Sequence, residues 1–249
     1  MIRSLLTYQA PLDLLAGRVI LVTGAGQGLG HAVALGAARC GATVILHGRS
    51  VAKLETLYDQ IMREGYPEPM ILPLDLAQAS DRDFDQMAGA IESELGSLSG
   101  IVHCAAELLP PAPIEQQRLD DWMRVLRINL AAPMALTRAC SRLLRAAPSA
   151  SVIFTGETHG LHPAAFWGGF AASKGALVTL TQILAQEWEH LPNLRANMLV
   201  PGKIDSPQRG QSHPGEHATQ RSPLSSVLPA YLYLLGQDSL GTTGRIFEL

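Results

Sequence analysis

The stretch Val19–Gly30, with the sequence VILVTGAGQGLG, constrains the fold of this chain more than any other. It opens as a short apolar run with β-branched residues, which is typical of a buried parallel strand. A glycine-rich turn follows, and a helical pattern then continues from Ala32. The glycines allow a tight turn and a close approach to a pyrophosphate, because they carry no Cβ atom. Since a helix N-terminus also attracts anions, the stretch predicts a nucleotide site in a doubly wound α/β fold.

Strand-like and helix-like segments alternate to the end of the chain, which predicts a parallel sheet of about seven strands covered on both faces. We expect one Rossmann-type, three-layer α/β/α domain over residues 1–249, with 1–16 as an N-terminal extension. The strands predicted after the first are Thr43–His47, Met70–Leu74, Ile101–Cys104, Val152–Phe154, Arg195–Val200 and Gly244–Phe247. The helices predicted after the first are a segment from a Ser50 cap to Glu64, then Asp81–Leu95, Leu119–Ala146, Phe170–His190 and Ser222–Leu235. The segment Ile204–Arg221 is predicted to be a mobile loop.

Composition narrows the function classes. With 47% hydrophobic and 16% charged residues, the chain can bury a large core. The net charge of −3 gives no reason to expect nucleic acid or an anionic membrane as a partner. No apolar run approaches the ~20 residues of a membrane span, and Met1–Ala16 does not resemble a signal peptide.

Cysteines and histidines give no sign of a disulfide framework or a metal site. Cys40, Cys104 and Cys140 are scattered and odd in number, which favours a reducing compartment, so we expect a cytoplasmic protein. His213 and His217 have the spacing of metal ligands on a helix, but neither a helix nor a third ligand is evident, so we predict no metal.

The glycine motif and several later segments resemble the short-chain dehydrogenase/reductase family over nearly the whole chain. Thr23-Gly24-x-x-x-Gly28-x-Gly30 resembles the family's T-G-x-x-x-G-x-G, and Lys174 matches the lysine of its Y-x-x-x-K. Asn129 matches its catalytic-site asparagine. Asp75-Leu76 resembles its adenine-contacting segment, and Pro201–Ser206 resembles the segment that meets the nicotinamide and pyrophosphate. The resemblance implies cofactor contacts at Thr23, Gly24, Gln27, Gly28, Leu29, Gly30, Arg49, Asp75, Leu76, Cys104, Ala105, Lys174, Pro201, Gly202, Ile204 and Ser206.

Arg49 bears on which nicotinamide cofactor would bind. An acidic residue at the end of the second strand would hydrogen-bond the ribose hydroxyls of NAD, but this chain has Gly48 followed by Arg49. An arginine can hold a 2′-phosphate through a forked, charge-assisted contact. We therefore expect NADP(H) in preference to NAD(H).

The departures from the family pattern lie where its chemistry would occur. Phe170 stands at the family's tyrosine and Glu157 at its serine, although Thr158 could be the relevant hydroxyl; His103–Ala106 replaces its N-N-A-G. Phenylalanine has no proton to give, and losing a general acid–base costs about 10²–10⁴ in rate. A carboxylate at 157 has the wrong sign to stabilise an oxyanion, but it could pair with Lys174.

Three functions are compatible with this sequence. The first is an NADP(H)-dependent oxidoreductase acting on an unidentified carbonyl or alcohol, with catalytic positions Lys174, Asn129, Phe170 and Glu157. The second is a catalytically silent nucleotide-binding regulatory or scaffold protein, and the third is a chain that keeps only the fold. His159 or His162 could be a substitute acid, although solvated loop histidines are the more ordinary expectation. The family also implies a homodimer or homotetramer through helices 119–146 and 170–190.

Overall fold

Seven parallel strands lie side by side in one sheet among residues 5–249, the part of the chain that the computed structural model describes. In chain order they are β1 (Val19–Thr23), β2 (Thr43–Gly48), β3 (Met70–Pro73), β4 (Gly100–His103), β5 (Ala150–Thr155), β6 (Leu194–Val200) and β7 (Ile246–Glu248). Their order across the sheet is β3-β2-β1-β4-β5-β6-β7. The chain therefore winds outward from β1 in one direction and then in the other, which is the doubly wound topology predicted from the sequence.

Helices cover both faces of this sheet. They are α1 (Gly28–Arg39), α2 (Val51–Arg63), α3 (Asp81–Leu95), α4 (Leu119–Leu126), α5 (Ala132–Ala139), α6 (Ser141–Ala146), α7 (Thr158–Leu161), α8 (Gly168–Glu187), α9 (Pro207–Ser212) and α10 (Leu228–Leu235). Every residue of β1, β4, β5 and β6 is buried, as expected for parallel strands covered on both sides. One apolar core includes Phe84 of α3 and Leu177 of α8, and the opposite core includes Val33 of α1 and Tyr231 of α10. The predicted three-layer α/β/α fold is confirmed.

Most element boundaries differ from prediction by one or two residues. The fourth strand is Gly100–His103 rather than Ile101–Cys104. The helix predicted at Phe170–His190 is Gly168–Glu187, which ends three residues early, and the helix predicted at Ser222–Leu235 begins only at Leu228, after a 3₁₀ turn at Leu224–Ser226. Apolar runs locate a strand, but its ends depend on where neighbouring strands stop pairing. Ser50 occupies the N-cap position of α2, yet its side chain makes no capping hydrogen bond.

The predicted continuous helix Leu119–Ala146 is wrong, because the structure interrupts it twice. Residues Arg127–Ala131 form a π-helical turn between α4 and α5, in which the Ala132 N–H bonds to the Arg127 carbonyl. Pro133 follows in the first turn of α5, where its missing N–H does not break a regular helical bond. A second break at Cys140 separates α5 from α6.

The described part of the N-terminal extension and the segment Ile204–Arg221 both form defined structure. The described part of the N-terminal extension packs on the core, since Leu5 and Leu15 are buried and the Leu15 N–H bonds to the Cys40 carbonyl; residues 1–4 lie outside the described residues. The expectation of a mobile loop over Ile204–Arg221 is wrong in that the segment contains α9 and a short 3₁₀ turn at Ala218–Gln220. No helix within residues 5–249 has the length and apolar character to cross a membrane.

Candidate nucleotide-binding and catalytic site

The glycine-rich turn between β1 and α1 forms the floor of the candidate site. Gly24 has a φ of 71°, and a Cβ atom there would lie 2.9 Å from the backbone of Ala105. Gly28 starts α1 with a φ of 58°, so the first N–H groups of the helix follow directly on the turn. A side chain at either position would be strained or would collide with neighbouring backbone. The turn thus presents bare backbone and a helix N-terminus, the arrangement that binds phosphate groups.

Thr23 connects this turn to the segment after β4, the strand that lies beside β1 on the side opposite β2. Its Oγ1 accepts hydrogen bonds from the backbone N–H groups of Cys104 and Ala105, both at 3.1 Å. These bonds satisfy the backbone N–H groups just after the end of β4, which have no partner in a neighbouring strand. A cleft of about 310 Å³ opens at this point, beyond the carboxyl ends of the strands.

Most of the residues predicted from the sequence to contact a cofactor line this cleft. They are Gly24, Gln27, Gly28, Leu29, Gly30, Arg49, Asp75, Leu76, Cys104, Ala105, Lys174, Pro201, Gly202, Ile204 and Ser206, and Glu157 joins them. Thr23, Asn129 and Phe170 are buried and do not line the cleft. Thr23 and Asn129 therefore act in this structure by positioning other groups.

Two cations lie at the β2 end of the cleft. Arg49 follows β2 and its side chain is 60% exposed, so its guanidinium is accessible to a ligand. Lys53, in the first turn of α2, donates a hydrogen bond from Nζ to Gln27 Oε1 of the glycine turn. Both cations thus flank the segment where a phosphorylated ribose would approach the glycine turn.

Glu107 introduces a carboxylate into the same cleft. Arg124 of α4 holds it with a bond of 2.7 Å from Nε and one of 3.2 Å from Nη2. Arg49 Nη1 lies 4.0 Å from Oε2 of this carboxylate, the oxygen that Arg124 Nη2 also binds. The hydrogen bond to Glu107 raises the pKa of Arg124 above its ordinary value. Glu107 therefore competes with any anionic ligand for Arg49.

Lys174 lies deep in the cleft wall and is only 3% exposed. Its Nζ donates a hydrogen bond of 2.8 Å to the Thr155 carbonyl oxygen and lies 5.8 Å from the centre of the Phe170 ring. Burial lowers the pKa of this ammonium to about 8, although the charge of Glu157 opposes that shift. Within residues 5–249 the structure has no ion pair between Lys174 and Glu157, so the pairing suggested from the sequence is absent there.

Phe170 is 4% exposed and contributes its ring to a second, smaller cavity rather than to the cleft. Neither Phe170 nor its immediate neighbours supply a hydroxyl to the cleft at this position. Thr158 lies at the first position of the short helix α7, after Glu157 at its N-cap, and does not line the cleft. Glu157 is thus the residue of this pair that faces a ligand.

Asn129 is fixed by the protein on every side. Its amide oxygen accepts from the Glu107 N–H at 2.8 Å, while its amide nitrogen donates to the Glu107 carbonyl and to Ser173 Oγ. It lies within the π-helical turn, which turns its side chain toward the segment after β4. Asn129 therefore positions Glu107 and the N-terminal part of α8.

Buried histidine and cysteine groups at the strand ends are poor acids and nucleophiles at neutral pH. His47 and His103 lie in register with Thr23, and burial lowers their pKa values to about 4 and about 3. Burial also raises the pKa of Cys104 to about 11. This agrees with the interpretation of Cys104 as a small apolar residue. Its Sγ shares a hydrogen bond of 3.4 Å with Thr155 Oγ1.

The segment 204–221 closes over the glycine turn. Its ends are held together, because the Asp205 N–H bonds to the Ser222 carbonyl and the Ser222 N–H bonds to the Lys203 carbonyl, both at 2.8 Å. Ser206 caps α9 by accepting from the Arg209 N–H. Glu216 then forms ion pairs with two arginines, Arg209 at 2.7 Å and Arg221 at 3.3 Å. Hydrogen bonding from Arg209 lowers the pKa of Glu216 to about 2, so the cluster stays charged at physiological pH.

The loop histidines do not meet in a metal site among the described residues. His159 instead packs against Trp167 in a tilted arrangement with ring centres 4.1 Å apart, and His213 lies 5.5 Å from the same indole. His162 contacts Glu248 of β7 at 3.1 Å. His159 and His213 therefore help Trp167 to join segment 204–221 to the loop before α8.

Comparison with known proteins decides the family. Residues 18–217 match the family model described as short chain dehydrogenase. The chain belongs to the short-chain dehydrogenase family. The uncharacterized oxidoreductase YciK of Escherichia coli strain K12 is 36% identical, over 97% of this chain and 95% of that protein. A proposed short chain dehydrogenase from Pseudomonas syringae has a structure with a TM-score of 0.94 and 39% identity, covering 97% of this chain and 98% of that one. Another from Shigella flexneri 2a, complexed with NADP, has a TM-score of 0.92 and 36% identity over 95% of this chain and 98% of the other.

Several residues that line the cleft of this short-chain dehydrogenase were missed by sequence analysis. They are His47, Lys53, Glu107, Thr155 and four residues of α9, namely Gln208, Arg209, Gln211 and Ser212. Lys53 had a usable signal, since it follows Arg49 by four residues at a helix start. His47 and Thr155 also had a signal, since each lies at or directly after the carboxyl end of a predicted strand. Glu107 and the α9 residues had none, because their approach to the cleft depends on the paths of the segments after β4 and β6.

Proposed function

We propose that this oxidoreductase family member binds NADP(H) in its cleft and turns over ordinary carbonyls or alcohols only weakly. The contrast between the two halves of the site carries the proposal. The glycine turn and Arg49 fit the diphosphate and the 2′-phosphate of the cofactor, whereas Phe170 provides no proton. The similar Shigella structure complexed with NADP supports the first half. When bound, the cofactor would supply or accept a hydride.

The residues present fit this cofactor. A Cβ atom at Gly24 would reach the Ala105 backbone, so the turn is open only because it is glycine. Arg49 can donate two hydrogen bonds to a phosphate, and Lys53 stands one helical turn away. Lys174, buried in the wall, carries a donor toward the cleft beside the Thr155 carbonyl.

Calorimetric titration with NADPH and NADH tests the cofactor preference. The wild-type protein is expected to bind NADPH more tightly, and Arg49→Ala should weaken NADPH binding by roughly tenfold or more, because a charge-assisted contact is lost. NADH binding should change little. Arg63→Ala, at the exposed far end of α2, is the matched control. Equal affinity for both cofactors, or normal NADPH binding by Arg49→Ala, would contradict the preference.

The low turnover follows from the lining of the cleft. A carbonyl reduced by hydride needs a proton at its oxygen, and Phe170 cannot donate one. Glu157 adds negative charge near Lys174, where an oxyanion would need positive or neutral donors. Lys174 therefore remains able to orient a ribose, but without a phenol beside it.

NADPH oxidation against a panel of aldehydes, ketones and quinones tests this part. Wild-type turnover should be slow, Phe170→Tyr alone should recover little, and Phe170→Tyr with Glu157→Ser should recover more. The tyrosine has nearly the volume of the phenylalanine, so the fold should tolerate it. Brisk wild-type turnover of a simple carbonyl would refute the proposal. Glu157, His159 and His162 would then be tested as the acid one at a time.

The second candidate function is a nucleotide-binding regulatory or scaffold subunit without turnover. The missing phenol at Phe170 favours it, while the intact glycine turn speaks against complete loss of cofactor binding. NADPH binding with no turnover in the double variant would favour this candidate over an enzyme.

We further propose that two copies or four associate through α4–α6 and α8. Leu119 and Met123 of α4 are 76% and 57% exposed, and Ile183 of α8 is 45% exposed. These side chains place apolar surface on α4 and α8, which association through these helices would bury. Light scattering that shows a monomer at micromolar concentration would defeat this proposal.

A further inference from the structure

A second cavity of about 150 Å³ adjoins the cleft and shares Leu108 with it. Three aromatic side chains, Trp122, Phe166 and Trp167, line it together with Phe170. A cavity of roughly this volume admits a molecule the size of benzene. Its position beside Phe170 places it next to the reacting end of the proposed site.

The walls of this cavity are fixed by specific hydrogen bonds. Gln117 Nε2 donates to the Ala112 carbonyl at 2.7 Å, and its Oε1 accepts from Trp122 Nε1 at 2.6 Å and from the Gly169 N–H at 3.3 Å. The Ala112 N–H in turn donates to the Phe166 carbonyl at 3.0 Å. The Gln117 side chain thus holds together the segment after β4, the start of α4 and the start of α8. These hydrogen bonds fix the walls of the cavity.

Phe166 is held at the cavity in an unusual conformation. Its φ is 75°, and among residues 5–249 it is the one non-glycine residue with positive φ. Its side chain is nevertheless 57% exposed, so apolar burial does not explain the backbone conformation. Strained residues of this kind concentrate at ligand-binding positions.

The charge of the lining selects between ligand classes. Asp121 of α4 is the acidic residue among those that line the cavity, and no hydrogen bond or ion pair engages it among the described residues, although its charge adds to that of Glu107 in raising the pKa of Arg124. No lysine, arginine or histidine lines the cavity. Aromatic faces and a carboxylate together attract an organic cation and repel an anion. Lys174 lies by the Phe170 ring, so the cationic end of a ligand would sit near Asp121 and the apolar end near Phe170.

We propose that this cavity binds a small organic cation, an alkylammonium or trimethylammonium compound about the size of benzene overall. The proposal deepens the proposed function by giving the substrate class, because a ligand that passes Leu108 reaches the cleft. Binding of the cation itself does not require the cofactor, so the two ideas can fail separately.

Choline and 3,3-dimethylbutan-1-ol test the proposal, since they share a shape and differ in charge. Two tryptophans line the cavity, so intrinsic fluorescence follows binding to the full-length protein. Choline should give a saturable change, with an affinity roughly tenfold above that of the neutral alcohol. Asp121→Asn should remove most of that difference. Asp120→Asn is the matched control, because Asp120 is the adjacent first-turn carboxylate and is 90% exposed.

A second variant keeps the test decisive if Asp121→Asn does not fold. Phe166→Gly relieves the positive φ and removes one aromatic wall, so it should fold and bind choline at least several-fold more weakly. Equal binding of choline and the neutral alcohol, or equal effects of Asp121→Asn and Asp120→Asn, would overturn the proposal. NADPH binding without choline binding would overturn this inference alone, and choline binding without NADPH binding would overturn only the proposed cofactor site.

Discussion

Replacing Lys174 by methionine is expected to stabilise the protein at pH 7 and to leave its stability nearly unchanged at pH 10. Burial lowers the pKa of this lysine from 10.5 to about 8, so the folded protein holds the proton less tightly than the unfolded chain. The free energy of unfolding therefore falls as the pH drops from about 10.5 to 8 and stays low below pH 8. A shift of this size corresponds to about 3 kcal/mol.

Methionine also removes the hydrogen bond from Nζ to the Thr155 carbonyl, which costs about 1 kcal/mol. The net gain at pH 7 is therefore about 2 kcal/mol. At pH 10 the remaining charge penalty is about 1 kcal/mol, and it balances the lost hydrogen bond. Urea unfolding of the wild-type protein and Lys174→Met at both pH values measures this difference.

Lys53→Met is the matched control, because it removes the same ammonium group from the exposed rim of the cleft rather than from the interior. A stability difference between wild type and Lys174→Met that is the same at pH 7 and pH 10 would refute the reasoning. It would mean that the ammonium is solvated or fully compensated in the folded protein.

Gly156→Ala is expected to lower the free energy of unfolding by about 1–3 kcal/mol, because the new Cβ would collide with the Met198 side chain. Gly89 of α3 has open space around it, so Gly89→Ala should raise the free energy of unfolding by up to about 1 kcal/mol. Urea unfolding measures both variants, and equal effects would contradict the packing argument. Glu216→Gln removes the charge that binds two arginines, so trypsin should cleave segment 204–221 faster in limited proteolysis, and an unchanged pattern would count against the ion-pair cluster. Glu107→Gln frees Arg49 from a competing carboxylate and should tighten NADPH binding several-fold in calorimetry; unchanged affinity would exclude that competition.

The fold was predictable because its strands are short apolar runs and its first turn is rich in glycine. Ile20, Leu21 and Val22 are all fully buried, as expected for a continuous apolar run that forms a parallel strand covered on both faces. The π-helical turn at Arg127–Ala131 was not predictable, because it depends on tertiary contacts such as the hydrogen bonds of Asn129. Periodicity alone favoured a single long helix there.

The candidate site was predictable where local sequence fixes the backbone and not where distant residues meet. The glycine turn and Arg49 follow directly from a strand and its end. The ion pairs of Glu107 with Arg124 and of Glu216 with Arg209 depend on side chains that approach one another only in the folded chain. Segment 204–221 is rich in Ser, Pro, Gln and Gly, and this composition predicted a mobile loop. It gave no sign of the two ion pairs of Glu216 that hold the segment in place.

The clamped base of segment 204–221 separates ligand choice from folding. Ile204 and Ser222 are paired through the backbone, so the chain between them begins and ends at one fixed point beside β6. A closed segment of this kind can lengthen at little cost, because each doubling of its length adds only about 0.6 kcal/mol of closure entropy. Insertions or exchanges between the two anchors should therefore leave the sheet intact while changing what the cleft admits. Segment 204–221 can therefore be exchanged as a unit. Variants with a new ligand preference are best sought by randomising the residues between those anchors.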